Sequence, residues 1–136
     1  MKKIIIALIT LLATAGASDF KVEKDLAKNL FLSLESTVTP DCSGNKCTID
    51  LDQIFCTQLF KKTKCTVGAF SNGDILVKTV KGDEAQDISD ALYDISEATC
   101  SSDKDACGIH FYNVTCEEKS RLVFKSYKCH LSDLRK

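Results

Sequence analysis

The sequence has no tryptophan, a single methionine and only two histidines, His110 and His130, in 136 residues. With so few imidazoles, and no nucleophile singled out beside either, a Ser-His-Asp or Cys-His catalytic arrangement has little to be built from. C-x-x-C, a Gly-rich phosphate loop and a D-x-D-x-D-G calcium loop are all missing, so the usual signs of zinc, nucleotide and calcium sites are absent. Glu117 and Glu118 are neighbours in a polar stretch, where side chains diverge, and do not make the facing carboxylate pair of a glycosidase. A basic excess is lacking too: the formal charge is −1, and removal of Lys2 and Lys3 takes it to about −3. Nucleic-acid binding, which draws on a surplus of Lys and Arg, is therefore disfavoured. These absences lead to the expectation of a non-enzyme with no cofactor and no metal site.

Long apolar runs are scarce as well. The one greasy stretch, Ile4 to Leu12, is about half the roughly 20 residues a membrane-crossing helix requires. It follows Met1-Lys2-Lys3 and precedes small residues ending in Ala15-Gly16-Ala17, which is the three-part pattern of a secretory signal peptide. The expectation is that residues 1–17 are a signal peptide, that residues 18–136 form one domain, and that the product is secreted and extracellular with no transmembrane segment.

Cysteine, by contrast, is plentiful. Eight occur, at 42, 47, 56, 65, 100, 107, 116 and 129, and an even number in a short exported chain reads as a disulfide framework. The second four echo the first four. Ile49, Leu51, Ile54, Cys56, Leu59, Phe60, Lys61, Lys64 and Cys65 correspond to Ile109, Phe111, Val114, Cys116, Val123, Phe124, Lys125, Lys128 and Cys129. Upstream, Asp25, Leu26, Leu30, Phe31, Glu35 and Thr37 correspond to Asp87, Ile88, Leu92, Tyr93, Glu97 and Thr99. An internal duplication follows, with repeat one at about 19–66, a connecting hairpin at 67–82 and repeat two at about 83–130. If each copy closes its own bridges around a hairpin turn near Cys56 or residue 118, the pairs are Cys47 with Cys65, Cys107 with Cys129, Cys42 with Cys56, and Cys100 with Cys116.

Val22, Leu26, Leu30 and Leu34 recur every fourth residue, predicting a helix over 19–36. Thr39-Pro40 stops it, and a polar loop, Asp41 to Lys46, follows. From Thr48 the pattern alternates as in a half-buried strand, then changes phase near Gln53; the same change recurs near Asn113, so each copy is expected to carry a bulge. A return strand over 58–70, a tight turn at Asn72-Gly73 and a strand from Ile75 to Val80 complete a meander. A second helix over 84–99 buries Ile88, Ala91, Leu92 and Ile95, and a second hairpin turns at Glu117 to Ser120. Helices gathered on one side of sequential hairpins give an α+β fold, two helices packed on an antiparallel sheet and stapled by four disulfides.

Three surface features are candidates for function. Asp83, Asp87, Asp90, Asp94 and Glu97 fall on one face of the second helix, and the set Asp87, Asp90, Asp94 and Glu97 is the candidate partner-binding stripe, suited to a basic extracellular protein. Lys61, Lys62, Lys64, Lys125 and Lys128 form two basic clusters, read as protection of strand edges or as attraction to acidic glycans or a membrane surface. Asn113-Val114-Thr115 is a glycosylation sequon, inward by simple alternation and outward if the bulge is present. The leading functional expectation is a secreted, non-catalytic, disulfide-rich protein that recognises another extracellular protein. Two alternatives stand beside it: a secreted protease inhibitor, since a helix followed by an antiparallel sheet loosely resembles the topology of cystatins although their Gln-x-Val-x-Gly loop and Pro-Trp hairpin are missing, and a carrier of a small apolar ligand.

Overall fold

The computed structural model describes residues 18–98 and 106–133; the signal-peptide stretch and Cys100 with most of its following loop lie outside them. The elements run β1 (Asp19–Glu23), α1 (Lys24–Glu35), β2 (Asp41–Ser43), β3 (Lys46–Leu59), β4 (Lys62–Ser71), β5 (Asp74–Lys81), α2 (Asp83–Ser96), β6 (Ala106–Arg121) and β7 (Phe124–Ser132). All pairings are antiparallel, in one seven-stranded sheet ordered β1-β7-β6-β3-β4-β5, with β2 added to β3. With both helices against this sheet, the chain is α+β.

At the centre β3 and β6 pair from Lys46↔Lys119 to Leu59↔Ala106. Their alternation puts Ile49, Leu51, Ile54 and Cys56 of β3, and Phe111, Val114 and Cys116 of β6, into the core. The expected phase changes are bulges: the register skips between Leu51 and Gln53 against β4, and between Tyr112 and Thr115 against β7. Asn113 adopts φ 51° there and is exposed, as an extra residue turned out of the ladder must be. The Asn72-Gly73 turn is present, with φ 50° and 85°.

The first helix begins later than its apolar spacing suggests. Residues 19–23 form β1, because Phe20 and Val22 alternate with charged residues and pair with Leu131 and Cys129 of β7; Phe20 meets Phe111 edge-on at 5.5 Å. With Val22 in a strand, the buried stripe of α1 rotates to Ala27, Leu30, Phe31 and Leu34, and Leu26 is exposed. In α2 the expected Ile88, Ala91, Leu92 and Ile95 are all buried. The expected polar loop from Asp41 to Lys46 is a tight hairpin instead.

The disulfide pairing differs from the expected one in every described bridge. Cys42 joins Cys47, Cys56 joins Cys65 and Cys116 joins Cys129; Cys107 is also disulfide-bonded. None of the pairs Cys47–Cys65, Cys107–Cys129, Cys42–Cys56 or Cys100–Cys116 forms. The cause is where the turns fall. The first long hairpin turns at Phe60-Lys61 rather than near Cys56, and the second at Leu122-Val123 rather than at Glu117 to Ser120. Each described bridge therefore links directly opposed residues of a hairpin, where Cβ atoms stand close enough to be bridged.

Two of these bridges lie in the core beneath a helix. Sγ of Cys65 is 3.4 Å from the Ala85 carbonyl oxygen of α2, and Sγ of Cys129 is 3.6 Å from the Ala27 carbonyl oxygen of α1. The hairpin that follows α1 is thus covered by α2, and the hairpin that follows α2 is covered by α1.

Loss of the buried bridge through Cys56→Ala with Cys65→Ala should cost about 2–5 kcal/mol, read from denaturant unfolding. The Cys42–Cys47 bridge closes a shorter loop and Cys42 is exposed, so Cys42→Ala with Cys47→Ala should cost about 2 kcal/mol or less. Peptide mapping of the unreduced protein should return the 42–47, 56–65 and 116–129 cross-links.

Candidate functional site

The helix layer carries the expected acidic stripe. Helical spacing places Asp87, Asp90 and Asp94 on the side of α2 that faces α1, where they line an open groove of about 330 Å³ with Asn29, Leu32 and Ser33 of α1. Leu32, part of the groove wall, is 40% exposed. Asp90 Oδ1 accepts a hydrogen bond of 2.7 Å from Gln86 Nε2. No Lys or Arg forms an ion pair with Asp87, Asp90, Asp94 or Glu97 among the described residues. Glu97 stands apart from the groove-lining residues and caps the helix C-terminus in the left-handed conformation, φ 58°. Three of the four stripe residues are thus brought together, beside an apolar side chain.

The opposite face of the sheet holds a cluster that sequence reasoning missed. His110 lies between Phe55 and Tyr112, with ring centroids 4.9 and 4.3 Å away. Its Nε2 is 2.9 Å from Gln53 Oε1 and its Nδ1 is 3.3 Å from the Tyr112 hydroxyl. A neutral ring with the proton on Nε2 satisfies both, donating to Gln53 and accepting from Tyr112. Gly108, opposite Thr57, keeps the neighbouring position clear: a Cβ there would stand 3.4 Å from Phe55 Cε1. The only sequence signal for this group was parity, since His110 and Tyr112 alternate with Ile109 and Phe111, and Gln53 is displaced onto the outer face by the bulge.

Edge protection accounts for only part of the basic clusters. Lys64 and Lys128 are paired on both sides, with Lys81 of β5 and Glu23 of β1 as their outer partners, whereas Lys62 and Lys125 lie on strand ends beyond those pairings. The acids near the second cluster are engaged: Glu117 accepts from Lys46 Nζ at 2.8 Å, which holds its carboxyl below the usual range despite partial burial. Glu118 Oε2 accepts from the Tyr127 hydroxyl at 2.8 Å and stands 3.9 Å from Lys125 Nζ.

No known protein family matches the chain, and no curated protein or solved structure is significantly similar to it.

Tyr127 provides a titration check on this region. Burial, and then its bond to the Glu118 carboxylate, push the phenol up to about 12 from 10.0. A folded value above the unfolded one means that the phenol's stabilising contribution is fully present below about pH 10 and is lost as pH rises towards 12. Ultraviolet titration of the folded protein should show one tyrosine ionising near pH 12, and Tyr127→Phe should remove that step.

Proposed function

We propose that this chain is a secreted, non-catalytic binding protein that recognises another, basic extracellular protein through the groove between α1 and α2. The observation that carries this reading is the set Asp87, Asp90 and Asp94 lining an open groove beside exposed Leu32, with no ion-pairing Lys or Arg among the described residues. Like charges three and four residues apart on a helix repel by a few tenths of a kcal/mol per pair. A cationic partner relieves that repulsion, while Leu32 supplies apolar contact that is indifferent to salt. The framework suits the role, because bridged hairpins hold the presenting surface rigid and reduce the entropy lost on binding.

We further infer that the framework arose by duplication of a β-α-β-β unit. In support, exchanging β1, α1, β3 and β4 for β5, α2, β6 and β7 reverses the strand order into itself. The two buried bridges and their helix contacts exchange in the same operation. The acidic groove wall does not: it is supplied by α2, against Asn29, Leu32 and Ser33 from α1. Exposed Asn113 is the proposed glycosylation position; expression in a glycosylating host should add one glycan, lost in Thr115→Ala.

Association of the mature, oxidised protein with a panel of basic extracellular proteins should slow as salt rises. Asp90→Asn with Asp94→Asn should leave folding intact or slightly improved, slow association and flatten the salt dependence. An unchanged association rate would assign these carboxylates to a solvated face, and inhibition across a protease panel would favour the inhibitor reading instead.

A further inference from the structure

Each end of the sheet carries a hairpin turn whose composition is poor for folding. A two-residue turn with positive φ at both positions favours Asn-Gly, and the β4–β5 turn has that pair, Asn72-Gly73. The β3–β4 turn has the same geometry, φ 50° and 65°, but places Phe60 and Lys61 in it. The β6–β7 turn puts Leu122 at φ 50°, followed by Val123. Bulky side chains in the left-handed region are strained, and here packing offers no return: Phe60 is 69% exposed, Leu122 104%, Val123 88% and Phe124 73%.

Charge surrounds both apolar tips. The segment 57–64 contains Lys61, Lys62 and Lys64 and no acid; the segment 119–128 contains Lys119, Arg121, Lys125 and Lys128 and no acid. Among the described residues the neighbouring acids are Asp83 beside the first tip and Glu23, Asp25, Glu117 and Glu118 beside the second; Glu117 is held by Lys46 and Glu118 stands 3.9 Å from Lys125. Lys61 lies in the turn itself and Lys64 and Lys128 are paired on both sides, so edge protection accounts at most for Lys62 and Lys125.

We propose that each tip is an anchor for an anionic phospholipid membrane. Phe60 with Leu59 at one end, and Leu122, Val123 and Phe124 at the other, enter the acyl boundary, while the flanking lysines and arginine meet lipid phosphates and carboxylates. Apolar side chains encircled by cations match that interface, with its apolar interior and negative surface. Because β3 and β6 are antiparallel, the turn after β3 and the turn after β6 point in opposite directions, separated by roughly 45 Å, the length of β3 at ~3.3 Å per residue. One bilayer accepts one tip end-on and leaves the other facing away, so the protein bridges two bilayers. This site is independent of the interhelical groove.

The test uses the mature, oxidised protein with vesicles of phosphatidylcholine, with and without phosphatidylserine. Co-sedimentation is expected only with the anionic vesicles, weakening as salt is raised, together with clustering seen by light scattering. Phe60→Asn with Lys61→Gly, and separately Leu122→Gly with Val123→Ser, install favourable turn residues, so the thermal midpoint should hold or rise. Each pair alone should abolish clustering while leaving binding, and all four together should weaken binding about tenfold or more. Lys61→Gln, Lys62→Gln and Lys64→Gln, made in the Leu122→Gly, Val123→Ser background, should give the same loss with Phe60 intact. No binding to anionic vesicles, or binding insensitive to the turn replacements, overturns the proposal. Retention on heparin that depends on the lysines but not on Phe60 or Leu122, without vesicle binding, would assign the cations to an acidic glycan and also overturn it. Single-tip variants that still cluster vesicles would overturn the bridging.

Discussion

The pairing of β3 with β6 is the interaction on which the rest of this structure depends. It joins the two halves of the chain across residues 47 to 73 positions apart, and it aligns Ile49, Leu51 and Ile54 with Cys116, Val114 and Phe111 on one buried surface. Removing it would leave each half with one helix and one hairpin, too little apolar area for a stable domain even with its bridges. The bulges at Asp52 and Asn113 also belong to this pairing. They stand opposite each other, because Leu51 pairs with Val114 and Gln53 with Tyr112, so both strands change phase together and the inner face stays apolar along its length.

Crosswise packing extends that dependence. α1 covers the Cys116–Cys129 bridge and α2 covers the Cys56–Cys65 bridge, while β1 pairs with β7 and β5 with β4. No helix-hairpin unit therefore covers its own buried disulfide. The cross-links constrain each hairpin in the unfolded chain, but the burial that makes the hairpins useful requires both units. Folding should accordingly be cooperative across all of the described residues, with the bridges lowering chain entropy before the long-range ladder closes.

Much of this was legible in the sequence where local pattern and tertiary demand agree. The stripe of α2, the Asn72-Gly73 turn, the alternation in β3 and β6 and the doubled phase change were all readable, because each is fixed by periodicity or by turn chemistry. Three features were not. Val22 satisfies a helical stripe and an alternating strand equally well, and only its pairing with Cys129 across the sheet decides for β1. The long hairpins were expected to turn near Cys56 and at Glu117 to Ser120, whereas the chain turns at Phe60-Lys61 and Leu122-Val123. Both turns lie midway between a cysteine pair, as does Gly44-Asn45 between Cys42 and Cys47, and that midpoint was the signal for the bridges. The Gln53, Phe55, His110 and Tyr112 cluster needed the β3–β6 register, which no local pattern contains.

Where a sequence breaks local rules on its surface, folding alone does not explain the choice. The described residues do so in two places of opposite charge. At the C-terminal end of α2, Asp94 and Glu97 face the negative pole of the helix with no basic residue in its last turn, although Asp83 and Glu84 at the other end sit where carboxylates are favoured. At the sheet ends, Phe60, Lys61 and Leu122 occupy left-handed positions that glycine or asparagine would fill at less cost. Neither feature is needed by the core, since the residues concerned lie outside it. A nearly neutral chain has thus separated its charge, with carboxylates that form no ion pair among the described residues on the helix layer and cations at the turns. The separation is stable within one molecule because the carboxylates lie on the covering helices while the turns project along the strand axis. It also leaves surfaces of opposite sign available at once, so a partner held in the interhelical groove and a surface met by a turn need not compete for the same residues.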